Sequence, residues 1–272
     1  MSIKSMPVWK WALLLVVSFV LALFMYGLSQ AVTDIVSVPW ASCLVAVAVS
    51  VVMLSFYALF VLWFEKQPAG DIPFGKLAGD TAKGLGVGAG FMVSVTLVMY
   101  LCGLYRITST VTDQWPAIIT AFFHFLYVAV GEEILFRGVL FRWIDEKWGL
   151  VAALIVSSLV FGALHIWQPG ATWWSSLAIA IEAGLLLGAA YKLSGTLWLP
   201  IGIHWAWNFV QGNIFGFEVS GGQAGVSLLV PQVSGPDILT GGVFGAEASV
   251  ITVVLGLALS ILYIVRIYRR KQ

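Results

Sequence analysis

The feature that most restricts this chain is a series of apolar runs, each about as long as a bilayer's hydrocarbon core is thick. A spanning helix needs ~20 residues, and runs of that kind recur at about 11–31, 40–64, 84–105, 117–141, 150–167, 175–192, 197–216 and 246–267. A water-soluble core cannot absorb eight of them. Composition agrees, with 60% hydrophobic residues, 10% charged residues and a mean hydropathy of +0.97. The expected fold class is therefore all-α, a polytopic transmembrane bundle of about eight spanning helices whose partner is the lipid bilayer.

The first run follows Lys4 and Lys10 but exceeds the ~7–15 apolar residues of a signal-peptide core, so it reads as a signal anchor. If the spans alternate from a cytoplasmic N-terminus, Lys4, Lys10, Lys66, Lys76, Lys83, Arg142, Lys147, Lys192, Arg266, Arg269, Arg270 and Lys271 all fall on the cytoplasmic side. Arg106 alone falls outside, and Arg137 lies within a span. This bias predicts both termini in the cytoplasm of a multi-pass protein of the cell membrane. The net charge of +1 points to no nucleic-acid partner. Cys43 and Cys102 lie in apolar stretches and read as packed thiols, not as a disulfide or a zinc knuckle.

The organisation expected is an N-terminal set of about three spans over 1–110, a core of about four spans over 111–216, an extracytoplasmic loop over 217–245 that need not form regular structure, and a last helix with a basic tail over 246–272. Gly184 and Gly188 form a small-xxx-small pair that lets another helix approach closely.

Ionisable groups within spans cost ~2.5–3.5 kcal/mol each on insertion scales, so each needs a reason. Glu133 and Arg137 are four apart on one helix face, acid before base, and can neutralise each other. Glu132 is rotated ~100° away and has no local partner, which suits a general base or acid. His165 closes the fifth run, and His204 and Asn208 share a face in the seventh. A carboxylate with a histidine can polarise a water, and a histidine with an amide can hold the oxyanion formed when that water attacks a carbonyl. His124 reads as packing or as a supporting group, and Glu182, the remaining acid within a span, as a satisfied structural carboxylate rather than part of the cavity.

Glu132-Glu133-x-x-x-Arg137, then Phe161-x-x-x-His165, then His204-x-x-x-Asn208 resembles the three motifs of the CAAX-protease and bacteriocin-processing (Abi, or type II CAAX prenyl endopeptidase) family of intramembrane glutamic endopeptidases. The resemblance covers about 117 to 212. It implies that Glu132 and His165 activate the water, that His204 and Asn208 stabilise the oxyanion, and that Glu133 and Arg137 support them. The implied substrate is a membrane-associated, in some members prenylated, protein or peptide, cut without a cofactor. Two alternatives stay open: the same residues as ligands of zinc, although no His-Glu-x-x-His is present, and a non-catalytic immunity, scaffold or proton-coupled transport protein. One difficulty is depth. With the fourth span at 117–141, Glu132 lies towards the cytoplasmic end and His165 towards the external one. They meet if the boundaries shift: with the helix bearing Glu132 continuous to about Trp148, its embedded part starts nearer Phe125 and Glu132 rises towards the outer half.

Overall fold

The computed structural model describes residues 6–35, 38–66, 68–223 and 225–270. Lys4 and Lys271, which enter the charge argument, lie outside the described residues. The long helices follow the apolar runs: α1 (Val8–Ile35), α2 (Pro39–Glu65), α3 (Leu77–Leu101), α4 (Trp115–Trp148), α5 (Leu150–Trp167, its last turn 3-10), α6 (Trp173–Ser194), α7 (Trp198–Phe209, continued by a wide turn, Val210–Ile214) and α8 (Val250–Arg269). Among the described residues, α2 to α6 and α8 are long and apolar enough to cross a membrane. The apolar part of α1, Val8–Phe24, and α7 are shorter. Large apolar side chains such as Leu44, Val51, Leu59 and Trp63 on α2 and Val151, Ile155 and Leu159 on α5 point outward, as expected of helices solvated by lipid tails. The protein is an integral, multi-pass membrane bundle.

Helix α4 runs for 34 residues without a break, which removes the depth difficulty. Its bilayer-embedded part need not end at Phe141, and Glu132 sits near its middle. Gly149, at φ +88, separates α4 from α5 and reverses the chain.

The tightest helix pair is α3 with α7. A Cβ on Gly84 would lie 2.4 Å from the Leu199 carbonyl oxygen, one on Gly88 2.2 Å from that of Ile203, and one on Gly202 2.5 Å from that of Thr81. Glycines four apart on α3 thus let α7 settle backbone against backbone beside His204. Gly84 and Gly88 form a second small-xxx-small pair besides Gly184 and Gly188. Those two do admit neighbours: Gly184 faces Ser158 of α5, and Gly188 faces Phe141 of α4 and Leu154 of α5.

The connectors at the two ends are held by different chemistry. At one end the Leu197 amide donates to the Asp71 carbonyl, Arg142 meets both carboxylate oxygens of Glu65 at 2.6 Å, Lys192 pairs with Asp145, and Arg270 donates to the Leu193 carbonyl. At the other end β1 (Tyr105–Thr110) pairs antiparallel with β2 (Leu229–Val233), Tyr105 opposite Val233 and Thr110 opposite Leu229, with a bulge between Ile107 and Ser109. Within the connector after α7, Leu229–Val233 thus forms a strand. Tyr105 Oη donates to the Phe215 carbonyl, and Trp174 Nε1 to that of Ala248, which pins this cap to the bundle.

Candidate active site

Three of the helices widen locally. In α4 the turns from Ile134 to Phe141, in α6 those from Ala180 to Gly184, and in α7 those from Val210 to Ile214 carry π-type hydrogen bonding. Such wide turns concentrate at functional sites because they leave carbonyls under-used and re-aim side chains. Arg137, inside the α4 stretch, uses two such carbonyls: its Nη2 lies 3.3 Å from Gly184 O and 3.5 Å from Ala183 O. Its guanidinium also stacks 4.9 Å from the ring centre of Phe161.

Glu133 is fully buried, and one of its oxygens, Oε1, accepts from both Arg137 Nη1 and His204 Nδ1 at 2.9 Å. The sequence spacing supplied the first partner only. The second ties α4 to α7 and fixes the histidine: with Nδ1–H given to Glu133, Nε2 of His204 turns to Glu132, whose Oε2 is 3.8 Å away. That oxygen has no hydrogen-bond partner among the described residues. Glu132 Oε1 meets Tyr26 Oη of α1 at 3.4 Å.

His165 arrives from α5. Its Nδ1 lies 2.7 Å from the Phe161 carbonyl oxygen, an atom that only accepts, so Nδ1 carries the proton and the neutral ring keeps Nε2 free. Gly162 makes this placement possible, since a Cβ there would lie 2.2 Å from the Ser176 carbonyl oxygen of α6. Asn208, one turn beyond His204, is buried.

Glu132, His165, His204 and Asn208 line one cavity of about 290 Å³. The fourth, fifth and seventh apolar runs therefore do converge. Glu133 and Arg137 stand behind the wall. Glu182, fully buried, is outside this cavity, and both its oxygens lack hydrogen-bond partners among the described residues. It is thus not the satisfied structural carboxylate that the sequence suggested. His124 lines the cavity two turns above Glu132, edge-on to the Tyr127 ring.

The wall also holds residues that sequence reasoning missed: Tyr26 of α1, and from the cap Val219, Ser220, Gly222 and Glu247. Tyr26 lies in an apolar run without a motif. Glu247 carried a usable signal, an acid at the head of the last apolar run. Among the described residues no group of three or more His, Cys, Asp or Glu side chains is disposed to hold a metal ion.

Residues 113–210 match the family described as Rce1-like, type II CAAX prenyl endopeptidase Rce1-like. The match includes all seven motif residues and excludes Tyr26, Ser220 and Glu247. No curated protein and no solved structure matches the chain.

Proposed function

For a chain that belongs, through residues 113–210, to the CAAX-protease and bacteriocin-processing family, we propose a glutamic-type intramembrane endopeptidase in which Glu132 and His165 activate a water. The coarser activity, a protease of the CAAX type, is what the family indicates. The finer mechanism is supported chiefly by one observation: Glu132, with an unpartnered oxygen, shares a small cavity with two histidines and an asparagine brought from three helices.

Glu132 takes a proton from the water while His165 Nε2 orients it by accepting its other hydrogen. The hydroxide so formed attacks the carbonyl carbon of the scissile bond. The Asn208 amide and the Nε2–H of a doubly protonated His204 receive the oxyanion, with Glu133 holding the opposite edge of that ring. Glu132 then passes the proton to the leaving nitrogen, and the C–N bond breaks. The substrate class is a membrane-associated protein or peptide, prenylated CAAX proteins included.

The test is cleavage of a fluorogenic farnesylated peptide ending in a CAAX box, together with the new protein termini found in membranes holding wild type or Glu132→Gln at equal levels. Glu132→Gln is expected to lower kcat by roughly 10²–10⁴-fold, and Asn208→Ala by roughly 10²–10³-fold with little change in KM. Activity is expected to persist in protein stripped by a chelator and shown metal-free. Termini that survive Glu132→Gln unchanged would sink the proposal.

A further inference from the structure

Glu247 stands where no motif put it. It lies outside the spanning helices, in the turn before α8, and is buried against the cavity. Its Oε2 accepts from the Ser220 amide at 2.6 Å and from Ser220 Oγ at 3.1 Å. The Gln211 side chain of α7 also hydrogen-bonds to Glu247, while its Nε2 donates to the Glu218 carbonyl at 2.7 Å. Ser220 belongs to a strap, residues 217–222, that leaves α7 and crosses the cavity wall.

Two further observations mark the strap as held in place. Ser220 has φ +50, a left-handed conformation that a residue with a Cβ keeps only when its surroundings impose it. The strap is also sealed to the cap without room for a side chain: a Cβ on Gly245 would sit 2.0 Å from Glu218 O, and one on Gly221 1.8 Å from Pro169 O. The Gly221 amide donates to the Phe244 carbonyl. Glu247 is the acidic side chain that hydrogen-bonds to the strap from the cavity side, which Glu132 also lines.

We propose that Glu247 is a positioning residue of the proteolytic site: through Ser220 it latches the 217–222 strap as a fixed wall of the cavity that Glu132 also lines, against which the substrate backbone is aligned. The latch stands on the geometry alone, and its role in catalysis rests on the protease reading above. Glu247 need not change charge or touch the reacting atoms. It has only to offer an acceptor to the Ser220 N–H.

The experiment pairs hydrogen exchange over 217–222, on the full chain in detergent, with the kinetics of the farnesylated CAAX peptide. Removing the acceptor of the Ser220 N–H supports an exchange at least about tenfold faster in Glu247→Ala and a KM raised roughly tenfold at nearly unchanged kcat. Glu247→Gln keeps an acceptor and is expected to return both to within about threefold of wild type. Ser220→Gly tolerates the φ and keeps the amide while losing the hydroxyl, so it should fall between them, and it serves if Glu247→Ala does not fold. Wild-type exchange in both Glu247→Ala and Ser220→Gly, or exchange as fast in Glu247→Gln as in Glu247→Ala, overturns the proposal. Fast exchange in Glu247→Ala and slow exchange in Glu247→Gln, from a wild type that cleaves nothing, supports the latch and retires the protease reading.

Discussion

Glu133 Oε1 receives Arg137 Nη1 and His204 Nδ1 at once, so the loss of its charge would release two groups rather than one. Glu133→Gln keeps the shape but offers an amide in place of a carboxylate, and its effect should fall on the orientation and protonation of His204. We expect kcat to drop by roughly 10²-fold or more while KM moves little, by analogy with other carboxylates that orient a catalytic histidine. Arg137→Ala leaves a buried carboxylate with one partner and should cost about 3–5 kcal/mol of stability, read as a fall in thermal midpoint. The motif residues were legible because charge is rare in apolar helices and the four-residue spacing sets a face. The sharing of Glu133 by α4 and α7 was not, because helical spacing says nothing about which neighbour a face will meet. Tyr26 escaped for the same reason, whereas Glu247, in a turn at the head of the last apolar run, has no helical spacing to set its face.

At the level of elements, the α3–α7 contact offers a clean contrast on one helix. A Cβ on Gly88 would meet the Ile203 backbone, whereas one on Gly86 meets nothing within 4 Å. Gly88→Val should lower the thermal midpoint by an amount equivalent to about 1–3 kcal/mol and impair cleavage by moving His204, and Gly86→Val should leave both unchanged. The cap carries a pH signature of its own. Burial pushes the Glu247 carboxyl from its ordinary 4.5 up to about 7, against the pull of Ser220, Gln211 and His204. The remaining acid in its electrostatic field is Glu182 of α6, packed under Gly256 of α8. Between about 4.5 and 7 the folded protein therefore holds a proton at Glu247 that the unfolded chain has lost. Stability relative to Glu247→Gln should fall across that window as pH rises, by on the order of 3 kcal/mol, and level off above it; midpoints of the two proteins measured from pH 4.5 to 8 check the sign. The helices themselves were legible from apolar length. The wide turns were not, because ring size leaves no mark in an unbroken hydrophobic run, and the β1–β2 ribbon was hidden by the distance between its strands.

Across the whole molecule, Met6 O accepts from Lys147 Nζ and Arg270 donates to the Leu193 carbonyl, so both described ends of the chain meet the same face of the bundle. The described basic residues gather there as well, apart from the buried Arg137 and Arg106 on the ribbon at the opposite face. The positive-inside bias then predicts that a reporter fused after Gln272 is active in the cytoplasm and one inserted after Gln223 is active outside. Exchange of these two signals would turn the molecule over and move the strap to the cytoplasmic side.

The wide turns of α4 make the length of that helix part of its function. Its N-terminal half carries Glu132 and its C-terminal half is moored by Arg142 to Glu65. Deleting one residue from 134–141 would restore an ordinary turn and swing every later side chain by ~100° relative to the earlier ones. Either the mooring or the carboxylate would then face the wrong way. Among relatives that keep both, insertions and deletions should be scarce across these eight positions even where the side chains drift freely.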